Sequence, residues 1–205
     1  MFKKLCVIIL SLGLLMLLLV GCSNNTQSES TGNATTVKEE EIPASTAIQQ
    51  LAEESITGKN DKASDIQFED YKRIDNLVFS AFSFKNDQSE FYGFVVAEQD
   101  SDVWKLSYYE EYPNDQEQSV AVYQFVGSYP GTENRVFHIT AGYINDEQIA
   151  QVTLYYPNSN IKILKLAEDQ HGFLDIAINS DDSLLKIEGN SSKEKTIYQK
   201  DFDKS

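Results

Sequence analysis

The hydrophobic and polar positions of this 205-residue chain divide it into four stretches with different patterns. Residues 5–20 form an apolar run that only Ser11 and Gly13 interrupt, whereas residues 23–41 contain Val37 as their only large apolar residue. Residues 43–56 carry apolar side chains at helical spacing, and from about residue 66 apolar and polar positions alternate. The pattern predicts an apolar leader, a polar spacer, one helix and a β-rich domain.

The polar spacer reads SNNTQSESTGNATTVKEEE. Such a segment cannot bury enough apolar surface to offset the entropy lost on ordering, so we expect it to be disordered. As a flexible coil it would span roughly 25 Å root-mean-square. It is therefore interpreted as a tether.

The helix candidate covers residues 43–56. Thr46 is the expected N-cap, because Gln49 follows three residues later as a capping box requires. Residues 58–65 (GKNDKASD) are expected to end the helix. One stripe of the helix is apolar, and it either docks on the domain, which is favoured, or binds a partner; the stripe comprises Ile48, Leu51, Ala52 and Ile56.

Alternation with a period of two predicts a series of strands after residue 66. Polar connectors recur at intervals of roughly 8–12 residues, which is typical of an antiparallel sandwich or barrel. We predict an all-β fold, an antiparallel β-sandwich of one domain, with two sheets drawn from the halves before and after about residue 130. The candidate strands are 77–84, 91–97, 103–109, 119–126, 135–143, 149–156, 161–166, 173–178, 184–188 and 196–199.

The apolar leader begins with Lys3 and Lys4 and is shorter than the roughly 20 residues that a spanning helix needs. It ends Leu19-Val20-Gly21-Cys22, which resembles the bacterial lipobox. The resemblance implies cleavage between Gly21 and Cys22, a diacylglycerol on the Cys22 sulfur and acylation of the new N-terminus. About two acyl chains suffice for stable anchoring. The alternative is an uncleaved membrane anchor with an incidental cysteine.

These features give a domain plan: a signal peptide at 1–21, lipidated Cys22 and tether at 22–42, a helix and linker at 43–65, and the β-rich domain at 66–205. Removal of the signal leaves 15 basic and 32 acidic residues, a net charge of −17. That charge makes nucleic acid a poor partner, because phosphate binding needs clustered Lys and Arg. Cys6 is lost with the signal, so no disulfide can form within the mature chain.

A recurring arrangement of residues covers about sixty residues of the C-terminal half. It consists of Gly142, Ile149-x-x-Val152, YYPNSN, Phe173, Leu185-x-x-Glu188 and Thr196-Ile197-Tyr198. This arrangement resembles the small immunoglobulin-like β-sandwich modules of uncharacterised lipoproteins from Gram-positive, Bacillus-type bacteria. The resemblance implies a fold and no activity.

Few residues in the sequence suggest catalysis, and we expect no cofactor and no metal site. The serines lack a G-x-S-x-G elbow, and the two histidines, His138 and His171, lack the spacing of a zinc site. Three acidic pairs could serve a glycoside hydrolase, and the two aspartate pairs could also bind surface calcium, although solvated acids in turns or at strand ends are the favoured interpretation. The pairs are Asp100 with Asp102, Glu110 with Glu111, and Asp181 with Asp182.

Tyrosine is abundant, with 11 Tyr and 11 Phe against one Trp. Tyr108, Tyr109 and Tyr112 lie near one strand end, and Tyr155 with Tyr156 lies near another. Exposed tyrosines would suit stacking on sugars or contacts with proteins. Structural roles within the sheets are the favoured alternative.

The sequence therefore predicts a lipoprotein on the outer face of the cell membrane, held by lipid on Cys22. Its domain is expected to be non-catalytic and to bind an envelope protein or a wall glycan. The alternatives are a wall-polymer hydrolase that uses paired carboxylates and a solute-binding lipoprotein of a transporter.

Overall fold

The structure is a computed structural model that describes residues 43–132, 134–179 and 183–202. The leader, Gly21 with Cys22, the tether, and the pair Asp181 and Asp182 lie outside the described residues. Within them are one α-helix, eleven strands and a 3₁₀ turn at Pro157–Ser159. The helix and strands are α1 (Ala44–Lys59), β1 (Ala63–Ile74), β2 (Leu77–Asn86), β3 (Ser89–Asp100), β4 (Val103–Pro113), β5 (Val120–Ser128), β6 (Val136–Ile144), β7 (Gln151–Tyr155), β8 (Ile161–Lys165), β9 (Gly172–Ile178), β10 (Lys186–Asn190) and β11 (Thr196–Asp201).

The strands form three antiparallel sheets. Sheet A has the order β1-β2-β3-β4, sheet B the order β5-β6-β9, and sheet C the order β11-β10-β7-β8. Helix α1 covers the outer face of sheet A, and sheet B lies between sheets A and C. The all-β prediction is confirmed, but three sheets are present where two were expected.

Helix α1 docks on sheet A as predicted. Ile48, Ala52 and Ile56 are fully buried against a cluster that includes Val78 and Phe82 of β2. The predicted capping by Thr46 is wrong, because the helix begins at Ala44 and no side chain caps it. Pro43 takes the cap position, where its fixed backbone angle suits a helix start and its missing N–H has no consequence.

Sheet A is a meander whose three turns each contain a residue at positive φ: Asp75, Asp87 and Ser101. Short polar residues tolerate this conformation better than other non-glycine residues. Strand β1 was not predicted, and the expected linker at 43–65 overlaps its start at Ala63. Its alternation is broken by two register shifts, and its burial is only partial throughout.

Strands β6 and β9 of sheet B are largely buried on both faces. On β6, Phe137 and Ile139 point toward sheet A, where they pack with Phe79 and Phe94. On β9, Phe173 points the other way and packs with Leu154 of sheet C. Successive residues of these strands therefore enter two different cores.

Strands β5 to β11 have an immunoglobulin-like connectivity. The first, second and fifth of these seven strands form sheet B, and the seventh, sixth, third and fourth form sheet C in that order. This is the immunoglobulin sandwich with one change: the fourth strand, β8, pairs with the third strand instead of joining the first sheet. The predicted immunoglobulin-like sandwich is confirmed for this half.

Three glycines lie directly opposite phenylalanines on neighbouring strands. Their pairs are Gly93 with Phe82, Gly127 with Phe137, and Gly142 with Phe173. A Cβ at any of these glycines would lie less than 3.0 Å from its partner's ring. Each phenylalanine ring therefore lies over its glycine, in the space that a side chain would otherwise fill.

Side chains from sheet A pair backbone groups of one residue at each edge of sheet B. At β9, the Leu174 N–H donates to Asp70 Oδ2 at 3.0 Å, and Lys72 Nζ donates to the Leu174 carbonyl. At β5, the Tyr108 hydroxyl accepts from the Ser128 N–H at 3.1 Å and donates to its carbonyl at 3.2 Å. Backbone groups that a further strand would otherwise satisfy are thus paired by side chains.

We predict that Gly93→Ala destabilises the fold by about 3 kcal/mol, because its Cβ would lie 2.1 Å from the backbone oxygen of Glu110. The urea midpoint of unfolding measures this. Gly58→Ala is the matched control: nothing lies within 4 Å of that Cβ, and alanine in a helix should add about 0.5–1 kcal/mol. Equal midpoints for the two variants would contradict the packing account.

Asp70 accepts a hydrogen bond from the Leu174 N–H at the edge of β9. We therefore predict that Asp70→Ala lowers the free energy of unfolding by about 1–3 kcal/mol, because this N–H loses its acceptor. Asp70→Asn retains an oxygen that can accept, so its loss should stay below about 1 kcal/mol. Urea unfolding again provides the measurement. Similar losses in both variants would show that the hydrogen bond at β9 is not the cause.

Candidate functional site

The five tyrosines proposed as a binding patch are divided among different parts of the fold. Tyr108 packs between sheets A and B and closes the edge of β5. Tyr109 points to the opposite face of β4, where its ring stacks on Phe82 and its hydroxyl donates to Glu111. Tyr112 returns to the side of sheet B and stacks on Tyr123.

Tyr155 and Tyr156 lie in the other half of the molecule. The Tyr155 hydroxyl donates to Glu188 at 2.7 Å, and Lys186 lies over its ring. Tyr156 is buried, with its hydroxyl between Thr140 and Asp175 at 3.0 and 2.8 Å. These five side chains therefore serve separate structural contacts and do not share one surface.

The acidic pairs within the described residues do not meet across a cleft. Asp100 ends β3 and Asp102 lies in the exposed turn that follows, and Asp100 pairs with Lys105 at 2.6 Å. Glu110 and Glu111 are neighbours on β4, so their side chains point to opposite faces. Asn60 of the helix end donates to Glu111 at 3.1 Å.

A continuous polar groove runs across one end of sheets A and B. It consists of three adjoining hollows of about 370, 380 and 380 Å³ that share lining residues. Glu90, Tyr143 and His171 join the first two hollows, and Gln116 and Asn145 join the second to the third. We call this feature the Glu90 groove; its other lining residues include Gln67, Ser83, Lys85, Ser119, Glu147 and Gln148.

Two amides hold the Glu90 carboxylate in place. Asn114 Nδ2 and Gln116 Nε2 both donate to Glu90 Oε2, at 3.0 and 3.1 Å. The backbone N–H of Asn114 also donates to the Glu90 carbonyl at 2.8 Å. Because Oε2 takes both amides, Oε1 is left to accept hydrogen bonds from a ligand or water.

His171 is fixed by its ring and by its backbone. Its Nδ1 lies 2.9 Å from the Ile144 carbonyl, so Nδ1 carries the proton and Nε2 is left as an acceptor in the neutral ring. The His171 N–H donates to Glu69 Oε2 at 3.0 Å. The ring stacks on Tyr143, with centroids 5.5 Å apart.

The loops that line the groove are also tied to each other. Asn114 and Asn145 exchange hydrogen bonds at 2.8 and 3.2 Å, and Asn145 donates to the carbonyl of Gln118 at 2.7 Å. These bonds join the loop after β4 to the loop after β6. The amide and carboxylate groups of the groove are therefore held in position without a ligand.

The chemistry of the groove is polar and acidic. In the described ranges, no group of three or more His, Cys, Asp or Glu side chains is arranged to hold a metal ion. Among the same residues, no helix combines the length and hydropathy needed to cross a membrane. The arrangement suits hydrogen bonding to a polar ligand.

Sequence reasoning considered His171 as a zinc ligand, which its spacing from His138 argues against, and it missed Glu90 and Tyr143 as parts of a site. The available signal was the alternation of strand direction, which brings every second connector to the same end. The connectors after β4, β6 and β8 line the groove together with the ends of β2 and β3, where Lys85 and Glu90 lie. These connectors are rich in Asn, Asp, Gln and Glu. The distances between these residues along the chain hid their proximity.

The raised pKa of Tyr143 in the groove predicts that the folded state loses stability at high pH. Burial, with the nearby Glu90 and Glu69, raises the pKa of Tyr143 to about 12. The neutral hydroxyl is favoured in the folded state, so its contribution is complete below pH 10 and is lost between pH 10 and 12 as the unfolded chain ionises. The melting temperature should fall less steeply over this interval in Tyr143→Phe than in the original chain, after both are normalised at pH 7. Parallel curves would contradict this contribution.

Comparisons with known proteins identify no relative of this chain. None of the known protein-family models matches the chain, and no curated protein and no solved structure is significantly similar to it.

Proposed function

We propose that this chain is a lipid-anchored envelope protein whose β domain binds wall glycan in the Glu90 groove without catalysing a reaction. The observation that carries the proposal is the fixed geometry of Glu90 on β3, Tyr143 on β6 and His171 just before β9, in a groove lined by strand ends and loops. Preorganised polar groups bind with little loss of side-chain freedom.

The groove favours a glycan over a flat protein surface. Side-chain amides both donate and accept hydrogen bonds, and so do sugar hydroxyls. Gln67, Gln116 and Gln148 supply such amides along the groove, and the His171 ring adds an aromatic face. A protein partner generally requires a drier centre with large apolar anchors.

The position of the helix supports access to the wall. The last residues of α1 lie at the groove end, where Asn60 accepts from Asn86 at 3.1 Å. The first turn lies beside the middle of β1, near Phe68 and Tyr71. Since 16 residues of helix extend about 24 Å, the chain that precedes Pro43 joins the domain away from the groove. With lipid on Cys22, this arrangement would leave the groove open to the wall.

Anchoring is tested separately from binding. Cys22→Ala should move the protein from the membrane fraction to the soluble fraction and abolish incorporation of labelled palmitate. Cys6→Ala is the matched control and should leave both unchanged, because Cys6 lies within the predicted signal. Continued acylation of Cys22→Ala would refute the lipobox assignment.

Binding is tested by titrating the purified full-length protein with disaccharide-repeat fragments of wall glycan, followed by calorimetry. His171→Ala and Gln116→Ala should each weaken binding roughly five- to tenfold, as expected for the loss of about one hydrogen-bonding side chain. His138→Ala is the matched control, because His138 lies on β6 outside the groove, and it should bind normally.

Two results of the titration would contradict the proposal. Weakening by His138→Ala equal to that by His171→Ala would place the binding site elsewhere. If the original chain binds no glycan fragment, the glycan proposal fails and a protein partner from envelope extract becomes the next candidate.

A further inference from the structure

Tyr112 of β4 and Tyr123 of β5 form an unusually close ring pair between sheets A and B. Their ring centroids are 3.6 Å apart, and the ring planes differ by 12°. The other tyrosine pairs in the described part of the chain have centroids 5.9 Å apart. At 3.6 Å two nearly parallel rings overlap almost fully, so carbons of one ring lie within roughly 4 Å of carbons of the other.

The environment of this pair allows its oxidation. Tyr123 is 40% exposed and is therefore accessible to a dissolved oxidant. Neither hydroxyl of the pair makes a hydrogen bond within the described residues, and neither is sealed from solvent, so both phenolic protons can pass to water. A phenol that loses an electron must also lose its proton, because the neutral radical is far more stable than the radical cation.

Neighbouring tyrosines do not compete as sites of coupling. Tyr92 contacts both rings of the pair, but it is only 2% exposed and its hydroxyl has no partner within the described structure to take a proton. Tyr143 is stacked on His171 and is 8% exposed. Oxidation that enters at Tyr123 is therefore expected to remain on Tyr112 and Tyr123.

We infer that Tyr112 and Tyr123 are a site of oxidative cross-linking, at which a peroxide-driven one-electron oxidant joins the two rings as dityrosine. Each ring gives one electron to the oxidant and one phenolic proton to water. The two phenoxyl radicals couple through a carbon next to each hydroxyl, and each coupling carbon then passes its hydrogen to its own phenolic oxygen. Overall, one hydrogen peroxide is reduced to two waters while the protein loses two hydrogen atoms.

The product would join sheet A to sheet B covalently. Residues 23–205 contain no cysteine, so a disulfide cannot supply such a link. The bond would lie on the β4–β5 side, opposite the side where Asp70 and Lys72 of β1 reach β9. This inference is independent of glycan binding and of lipidation.

The test treats the dilute, purified full-length chain with a haem peroxidase and one equivalent of hydrogen peroxide. We expect a monomer with the fluorescence of dityrosine and a mass lower by two hydrogen atoms. Glu117 lies between the two tyrosines, so a glutamate-specific protease should release peptide 112–117 linked to peptide 118–133. The oxidised chain should also melt several degrees higher.

Tyrosine-to-phenylalanine variants separate this site from general oxidation. Tyr112→Phe and Tyr123→Phe retain the stacked rings but should each abolish the intramolecular link. Tyr71→Phe is the matched control, because Tyr71 is also 40% exposed and is not part of the stacked pair. It should leave the yield unchanged. Formation of dimers alone, or an intramolecular link that persists in Tyr123→Phe, would overturn the inference.

Discussion

The two open edges of sheet B are the constraint on which the rest of this structure depends. Sheet B has only three strands and lies between two other layers, so unpaired backbone groups at its edges would be costly to bury. Side chains of sheet A pair backbone groups at both edges: Asp70 and Lys72 bind Leu174 of β9, and Tyr108 binds Ser128 of β5. The irregular register of β1 follows from this role, because its bulges let polar side chains turn toward β9. Sheet A is thus tied to the immunoglobulin-like half by directional bonds as well as by apolar packing.

The same antiparallel order creates the Glu90 groove. Each strand reverses the direction of the one before it, so alternate connectors gather at one end of the stacked sheets. The connectors after β4 and β6 then exchange hydrogen bonds through Asn114 and Asn145, and that contact supports the carboxylate of Glu90. Groups that bind a ligand are in this way positioned by the scaffold and by each other.

The sequence predicted the all-β class, the docked helix and ten of the eleven described strands, because apolar alternation is a local signal. It did not predict β1, whose polar residues Glu69, Asp70 and Lys72 serve a strand about a hundred residues away. It also favoured Thr46 as a cap, although a proline begins the helix. The groove could not be predicted for a related reason: Glu90, Tyr143 and His171 meet only after sheets A and B have stacked. Tyrosine clusters along the chain were misleading, since neighbours such as Tyr108 and Tyr109 point to opposite faces of one strand.

Helix α1 packs mainly on sheet A, and the rest of the described domain begins only after it. Any tension transmitted through the chain ahead of Pro43 must therefore reach the domain through this helix. The helix packs on the outer face of β2 and β3 mainly through small and aliphatic side chains, among them Ala44, Ala52 and Ile56. The three sheets are held by longer hydrogen-bonded ladders and by two cores. Under mechanical load we therefore expect α1 to detach from sheet A before the sheets separate. The stacked sheets and the groove would then stay intact.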